Sequence, residues 1–334
     1  MQLARVIFGT SSLGNLYTVP SDEVKLAVVK AIFENSPKPV VFDSAGKYGA
    51  GLALEALGKC LKQLGIKPDE VVISNKMAWY QTELKTPEPT FEPGVWRDLK
   101  NDAVQKVSYQ GMLDCFEQGN QLLNGYIPQL VSVHDPDEYL AAAQDEADAE
   151  QRYQDILDSY RALAELKAQG KVKAIGVGSK DWKIIERIDG DVNLDWVMIA
   201  NSMTIKQHPA NLWQFMQKLK DKGVQIINSA VFNGGFLTGG DYYNYKLVTA
   251  DDEEGKALLQ WRDDFFALCN KYHIKPAEAC VQFGLRAPGV TSIALSTTNP
   301  DRVKSNIDMA HVQVPEEFWQ EMKTQKLIDP AINF

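Results

Sequence analysis

At 334 residues, 45% of them hydrophobic and 24% charged, the chain has the size of one large barrel or two ordinary domains and the composition of a globular enzyme. No apolar run approaches the roughly 18 residues of a membrane helix, and a net charge of −9 with no basic, aromatic-interleaved cluster argues against nucleic acid as a partner. Residues 1–6 lack the basic region and apolar core of a signal peptide, and Cys60, Cys115, Cys269 and Cys280 form no CxxC pair, so the expectation is a cytoplasmic protein with buried free thiols.

From the N-terminus, the sequence reads as an alternation. A strand at 6–9 precedes a helix at 21–35. A strand at 39–43, ending in Asp43, precedes a helix at 51–64 whose Leu54, Leu57, Leu61 and Leu64 recur at helical spacing. The strand at 71–76 ends in Lys76 and leads into a polar loop at 77–101, then a helix from about 102 to 123. The strand at 129–134 ends in His134. Its helix runs from 151 to 169, with the acidic run 145–150 as a solvated entrance. Strands at 172–178, 194–200 and 224–229 are followed by helices at 183–188, at 211–222, and at 254–272 with 276–286. A last strand at 291–295 precedes helices at 300–309 and 315–325.

Strands and helices in strict alternation predict a parallel sheet wrapped by helices, and continuous apolar strands predict burial on both faces. Eight such units favour closure into a (β/α)8 TIM barrel over an open doubly wound sheet. No Pro/Ser-rich linker divides the chain, which predicts one domain over residues 1–334. Two long loops follow strands three and seven. Residues 77–101 carry Trp79, Tyr80, Phe91 and Trp96, and residues 234–253 carry Gly234-Gly235, Gly239-Gly240 and Tyr242-Tyr243. Such loops at the carboxyl face of a barrel shape a ligand site. Trp79, Tyr80 and Trp96 are therefore the substrate-contact candidates, with Gln81, Glu88 and Glu92 as partners for hydroxyls.

Asp43, Lys76 and His134 close three consecutive strands of this pattern, and Tyr48 follows Asp43 by five residues. A barrel enzyme carries its active site at those strand ends. A lysine ammonium near a phenol stabilises the phenolate and lowers its pKa, a carboxylate fixes the ammonium, and a histidine holds the substrate oxygen. Alone, Asp43 reads equally as a loop cap and His134-Asp135-Pro136-Asp137 as a turn; a buried strand-end lysine is harder to explain without a partner. Together the four fit hydride transfer at carbon coupled to proton transfer at oxygen, with a nicotinamide as the second reactant.

Other motifs are weaker. His208, His273 and His311 have no metal-ligand spacing, and neither HExxH, Walker A nor GxSxG occurs. Gly176-Val177-Gly178 begins like a dinucleotide fingerprint but has Asp181 where the third glycine belongs. The segment 296–306, with Ser296, Thr297, Arg302 and Asn306, combines hydroxyls, a cation and a helix start, which suits phosphate or simply caps the helix.

Asp43-Ser44-Ala45-x-x-Tyr48-Gly49, Ser74-x-Lys76, His134-Asp135-Pro136-Asp137 and Arg302-x-x-x-Asn306 resemble the motifs of the aldo-keto reductase superfamily. Residues 86–94, 131–140 and 228–236 are similar to its bacterial L-fucose/D-threo-aldose 1-dehydrogenase branch, near L-galactose and pyridoxal 4-dehydrogenase-like enzymes. The resemblance implies a (β/α)8 barrel, Tyr48 as acid/base in a tetrad with Asp43, Lys76 and His134, and an extended NAD or NADP. It implies a nicotinamide against Ser229, a carboxamide near Ser179 and Asn201, and further cofactor contacts from Thr10, Phe232, Gly234, Ser296, Thr297, Arg302 and Asn306. Ser229 stands where a stacking tyrosine is usual and Ser296 where a 2′-phosphate lysine is common, so NAD should serve well. The implied reaction is oxidation of the C1 hydroxyl of a free aldose. Reduction of an aldehyde such as pyridoxal, and a non-catalytic cofactor-binding subunit, are the alternatives. The expected partner is a small molecule, with no nucleic acid, no membrane and no metal.

Overall fold

Eight parallel strands close on themselves in a computed structural model that describes residues 3–244 and 246–333. Met1 and Gln2 of the N-terminal stretch, Tyr245 of the second long loop, and Phe334 lie outside the described residues. The strands are β1 (Val6–Gly9), β2 (Val40–Ala45), β3 (Val71–Met77), β4 (Leu130–His134), β5 (Ala174–Ser179), β6 (Trp196–Ala200), β7 (Gln225–Ser229) and β8 (Val290–Leu295). Each pairs with its sequence neighbours, and β8 pairs back onto β1 through Val6 opposite Ile293. The barrel is thus closed, with helices around it, as the alternation predicts.

Successive strand residues point to opposite faces, and this parity sorts the core into two. Ile7, Val41, Val72, Leu130, Ala174, Trp196, Met198 and Ile227 form the packed interior of the barrel. The intervening residues, such as Phe42, Ile73, Val131, Val133 and Ile226, pack outward against the helices. Gly176 has a purely steric role here: a Cβ at that position would meet the Trp196 indole at 2.3 Å. The incomplete glycine fingerprint is therefore explained by room for Trp196. All four cysteines are buried and unpaired. Among the described residues, no helix is long and apolar enough to cross a membrane.

The two long loops contain more regular structure than a reading as polar loops suggests. Residues 77–101 begin and end in an antiparallel hairpin, Trp79–Glu83 against Asn101–Gln105, with the loop pinned inside it. Asp102, expected to open a helix, instead lies in the second hairpin strand and accepts hydrogen bonds from the Thr90 backbone (3.1 Å) and hydroxyl (2.8 Å). The helix begins at Tyr109, where the Ser108 side chain caps the Gly111 amide at 3.0 Å. The acidic run does form a helix entrance: Asp145 caps the helix Glu146–Ala168. A short helix, Pro136–Ala141, directly follows β4. Over the barrel mouth, Leu16 bridges Trp96 in antiparallel fashion, flanked by Tyr17 to Val95 and Arg97 to Asn15 backbone bonds of 2.9 and 3.0 Å.

Candidate active site

Counting by two from the apolar plug brings polar side chains to its carboxyl end. Val41 leads to Asp43 on β2, Val72 to Ser74 and Lys76 on β3, and Leu130 to Ser132 and His134 on β4. Register aligns them: Asp43 pairs with Ser74, Ala45 with Lys76, and Lys76 with Ser132. Opposite them, Gly178 leaves space for the lysine stem, since a Cβ there would lie 3.2 Å from Lys76 Cδ. Tyr48 sits on the turn after β2, its amide bonded to the Ala45 carbonyl at 3.1 Å.

Lys76 donates a short hydrogen bond to Asp43, whose other carboxylate oxygen accepts from Ser74 Oγ at 3.2 Å. Both partners are buried, so neither charge is tolerable without the other. The Lys76 ammonium lies 4.8 Å from the centre of the Tyr48 ring. His134 meets the same ring edge-on, with centroids 5.5 Å apart at 82°. Trp96 covers the other side of Tyr48 at 5.7 Å.

The electrostatics depart from the expectation of a lowered tyrosine pKa. Burial pushes the Tyr48 phenol up; Lys76 pulls it down but does not overcome burial, so the net direction is upward. Burial also disfavours the Lys76 ammonium, yet Asp43 and then Tyr48 outweigh it and hold the lysine charged. His134 lies well below the ordinary histidine value, through burial first and then the charges of Lys76 and Lys47. The resting pattern is a protonated tyrosine, a charged lysine and a neutral histidine. His134 Nδ1 is buried with no hydrogen-bond partner among the described residues, while Nε2 lies 3.5 Å from the Asp135 carboxylate. A proton carried on Nε2 would face the cleft on the side of the ring that meets Asp135.

The four side chains form the floor of a cleft of about 550 Å³. Of the substrate candidates, Trp96 lines this cleft. Trp79 packs against Phe91 at 5.4 Å and Tyr80 carries the Lys106 ammonium at 4.0 Å; neither reaches the lining. Gln81 bonds the Ala50 carbonyl and Glu55, and Glu88 is exposed, so only Glu92 of the three polar candidates faces the cleft. Of the cofactor candidates, Ser179, Asn201, Ser229, Phe232 and Ser296 line the cleft together. Thr10 instead holds the end of β1 to the Asp43 carbonyl (3.1 Å from its hydroxyl), and Thr297 bonds within its own turn at Asn299. Gly234 lies in the 3-10 segment Asn233–Thr238, Arg302 is exposed, and Asn306 is half-buried on the helix Val303–Met309; none of these three joins the lining.

A cluster of charges that the strand-end pattern did not pick out forms the near wall. Lys47 is almost fully buried and reaches three carboxylates: Glu138 at 2.7 Å, Glu92 at 2.9 Å and Asp135 at 3.3 Å. Lys180 joins through Glu138 at 2.7 Å. Glu92 in turn accepts from Trp96 Nε1 at 2.6 Å, which fixes the aromatic wall. The available signal was adjacency: Lys47 precedes Tyr48 and Asp135 follows His134. The carboxylates of the lining are consequently gathered on one side of the cleft, paired there with Lys47 and Lys76. Its acidic lining residues, Asp43, Glu92 and Asp135, all stand on the β2–β4 side. The β5–β8 side presents serines, Asn201, Phe232 and Lys180, with no acid.

Comparison with known proteins agrees with this architecture. The profile of the Aldo/keto reductase family matches residues 5–326, and the chain belongs to that family of oxidoreductases. It is 27% identical over 335 residues to pyridoxal 4-dehydrogenase of Microbacterium luteolum, covering 96% of this chain and 93% of that protein. It is 26% identical over 336 residues to D-threo-aldose 1-dehydrogenase of a Pseudomonas species, with the same coverage. An aldo-keto reductase from Bacillus halodurans, solved in its holo form, shares the fold with a TM-score of 0.71 at 18% identity, covering all of this chain and 95% of that one.

Proposed function

We propose that this aldo/keto reductase oxidises the C1 hydroxyl of a free aldose, in its cyclic hemiacetal form, to a lactone, with NAD or NADP as the hydride acceptor. The observation that carries the reading is that the carboxylates lining the cleft all stand on one side. A dinucleotide is anionic, and the β5–β8 side offers it neutral donors and acceptors, one aromatic face and Lys180, whose carboxylate partner Glu138 lies outside the lining. Those residues fit the group: Ser179 and Asn201 would take a carboxamide, Ser229 and Phe232 the nicotinamide, and Ser296 the adenosine end. A neutral polyhydroxylated substrate suits the opposite, carboxylate-bearing wall.

When bound, the cofactor supplies the hydride acceptor for oxidation or the donor for reduction. The chain supplies the rest. Tyr48 exchanges the proton with the C1 oxygen, Lys76 stabilises the phenolate that oxidation requires, and Asp43 keeps Lys76 charged and in place. Neutral His134 donates from Nε2 to the same oxygen and orients it. Trp96 offers a face for the C–H side of the sugar ring.

A second reading, reduction of an aldehyde such as pyridoxal, is favoured by that same Trp96 face, which can pack on an aromatic ring; the relative named pyridoxal 4-dehydrogenase shares that substrate, though its name states the oxidative direction. Following nicotinamide absorbance with NAD and NADP, forward and reverse, across L-fucose, D-arabinose, L-galactose, pyridoxal and benzaldehyde decides between them. The sugar reading expects aldoses to lead in kcat/KM. Preference for the aromatic aldehydes overturns it, and no turnover with any of them points to a cofactor-binding module without catalysis.

A further inference from the structure

One carboxylate of the near wall is built unlike the others. Asp135 follows His134 directly and holds a left-handed backbone, φ 46°, which a non-glycine residue adopts only at a cost. That conformation turns its side chain back toward the cleft, where 12% of it stays exposed. Its Oδ2 is engaged, 3.3 Å from Lys47 Nζ and 3.5 Å from His134 Nε2. For Oδ1 there is no hydrogen-bond partner among the described residues. The Lys47 ammonium, itself buried and held by Glu92 and Glu138, fixes the carboxylate and offsets part of the burial that pushes the Asp135 carboxyl up.

We propose that Asp135 is the acceptor for the hydroxyl adjacent to the reacting carbon, with Lys47 as its positioning residue. The inference rests on the aldose reading and names the part of the sugar that this wall recognises. If His134 Nε2 donates to the C1 oxygen, the neighbouring hydroxyl oxygen lies about one hydrogen-bond length farther along the wall. The Asp135 carboxylate stands beside that position, its Oδ2 3.5 Å from Nε2. A hydroxyl donating to a buried, lysine-held carboxylate makes a charge-assisted bond, and a sugar without it leaves that carboxylate partly unpaired.

The test pairs a substrate change with a residue change. Wild type, Asp135→Asn and Asp135→Gly are compared on whichever of L-fucose and D-arabinose the wild type oxidises faster, and on its 2-deoxy counterpart. Asparagine and glycine both tolerate the left-handed backbone, and thermal melting checks that the variants fold. The wild type is expected to favour the parent sugar by about 10- to 100-fold in kcat/KM. In Asp135→Gly that ratio collapses toward one, and in Asp135→Asn it falls partway. A variant that lowers both sugars in proportion, leaving the ratio intact, overturns the proposal, because Asp135 then acts on His134 or on the fold. A wild type that oxidises both sugars equally overturns the subsite but leaves the aldose reading standing. A wild type that oxidises no aldose overturns that reading, and the subsite falls with it.

Discussion

The ammonium of Lys76 stands 4.8 Å from the centre of the Tyr48 ring, yet the phenol of Tyr48 is held above, not below, its ordinary value. The two facts are compatible because burial removes the water that would solvate a phenolate, and a single lysine, already paired with Asp43, compensates only in part. At rest Tyr48 holds its proton, which in the proposed reaction makes it a donor. The direction of catalysis therefore bears directly on its pH dependence.

In the proposed oxidation, Tyr48 must first lose its proton. Below its pKa the phenolate fraction rises tenfold per pH unit, so log kcat/KM for oxidation should climb with a slope of about one from roughly pH 7 to 9. Reduction, which uses the protonated form, should be nearly flat over the same range. A flat oxidation profile measured in both NAD and NADP would identify a different base.

Removing the phenolic oxygen tests the same assignment without pH. Tyr48→Phe should lower kcat by about 10²–10⁴-fold, the range for general acid–base catalysis, with cofactor binding followed by fluorescence quenching little changed. Turnover close to wild type rules out Tyr48 as the acid/base.

The aromatic wall separates two tryptophans. Trp96 lines the cleft against Tyr48 and is anchored by Glu92, whereas Trp79 packs on Phe91 behind it. Trp96→Ala should reduce kcat/KM for an aldose by about tenfold or more, the scale of one lost aromatic contact, and more than Trp79→Ala does. The cofactor dissociation constant should hold in both. If Trp79→Ala does the greater harm, the substrate lies elsewhere than this cleft wall.

In the proposed reading cofactor choice turns on Ser296, which lines the cleft with one fewer cation than a lysine would bring, while Arg302 is exposed. NAD should be used well by the wild type, and Ser296→Lys should shift the NADP-to-NAD ratio of kcat/KM toward NADP. Strict NADP dependence in the wild type would contradict the electrostatic reading of this segment.

The Lys47 cluster also sets a stability limit in acid. Burial pushes the Glu138 carboxyl up, but hydrogen bonds and charge from Lys180 and Lys47 outweigh it, from 4.5 down to about 2. A carboxylate depressed on folding contributes stability that is present above its unfolded value and lost as pH falls through its folded value. The melting temperature should therefore drop between about pH 4.5 and 2, and Glu138→Gln should flatten that part of the curve. An unchanged profile would show that the pairs are screened by solvent.

Much of this was legible in the sequence, and the boundary is physical. Strand ends were readable to within two residues, since β2 runs on to Ala45 and β3 to Met77 and, of these three, only β4 ends on its polar residue, His134; period-two alternation fixes which side chains face inward, so Asp43, Lys76 and His134 follow from Val41, Val72 and Leu130. The 77–101 segment was not, because its hairpin is set by pairing between Trp79–Glu83 and Asn101–Gln105 across a polar loop and by no local periodicity. Glu92 reaches Lys47 over a sequence separation that no spacing rule covers. The sign of the Tyr48 shift was equally out of reach, since it depends on how deeply the ring is buried and not on which residues adjoin it.

The Leu16–Trp96 bridge joins two excursions of the chain that lie outside the barrel ladder. Asp43, Lys76 and His134 belong to strands whose register the whole cylinder enforces, whereas the Trp96 wall is held by this clasp and by the ion pair of Glu92 with Lys47. Changing the stretch between the hairpin arms, with Glu92 and Trp96 kept, can thus alter appetite while leaving the strand-borne groups in place. Diversification within such a scaffold has a cheap route: edit the awning, keep the hearth.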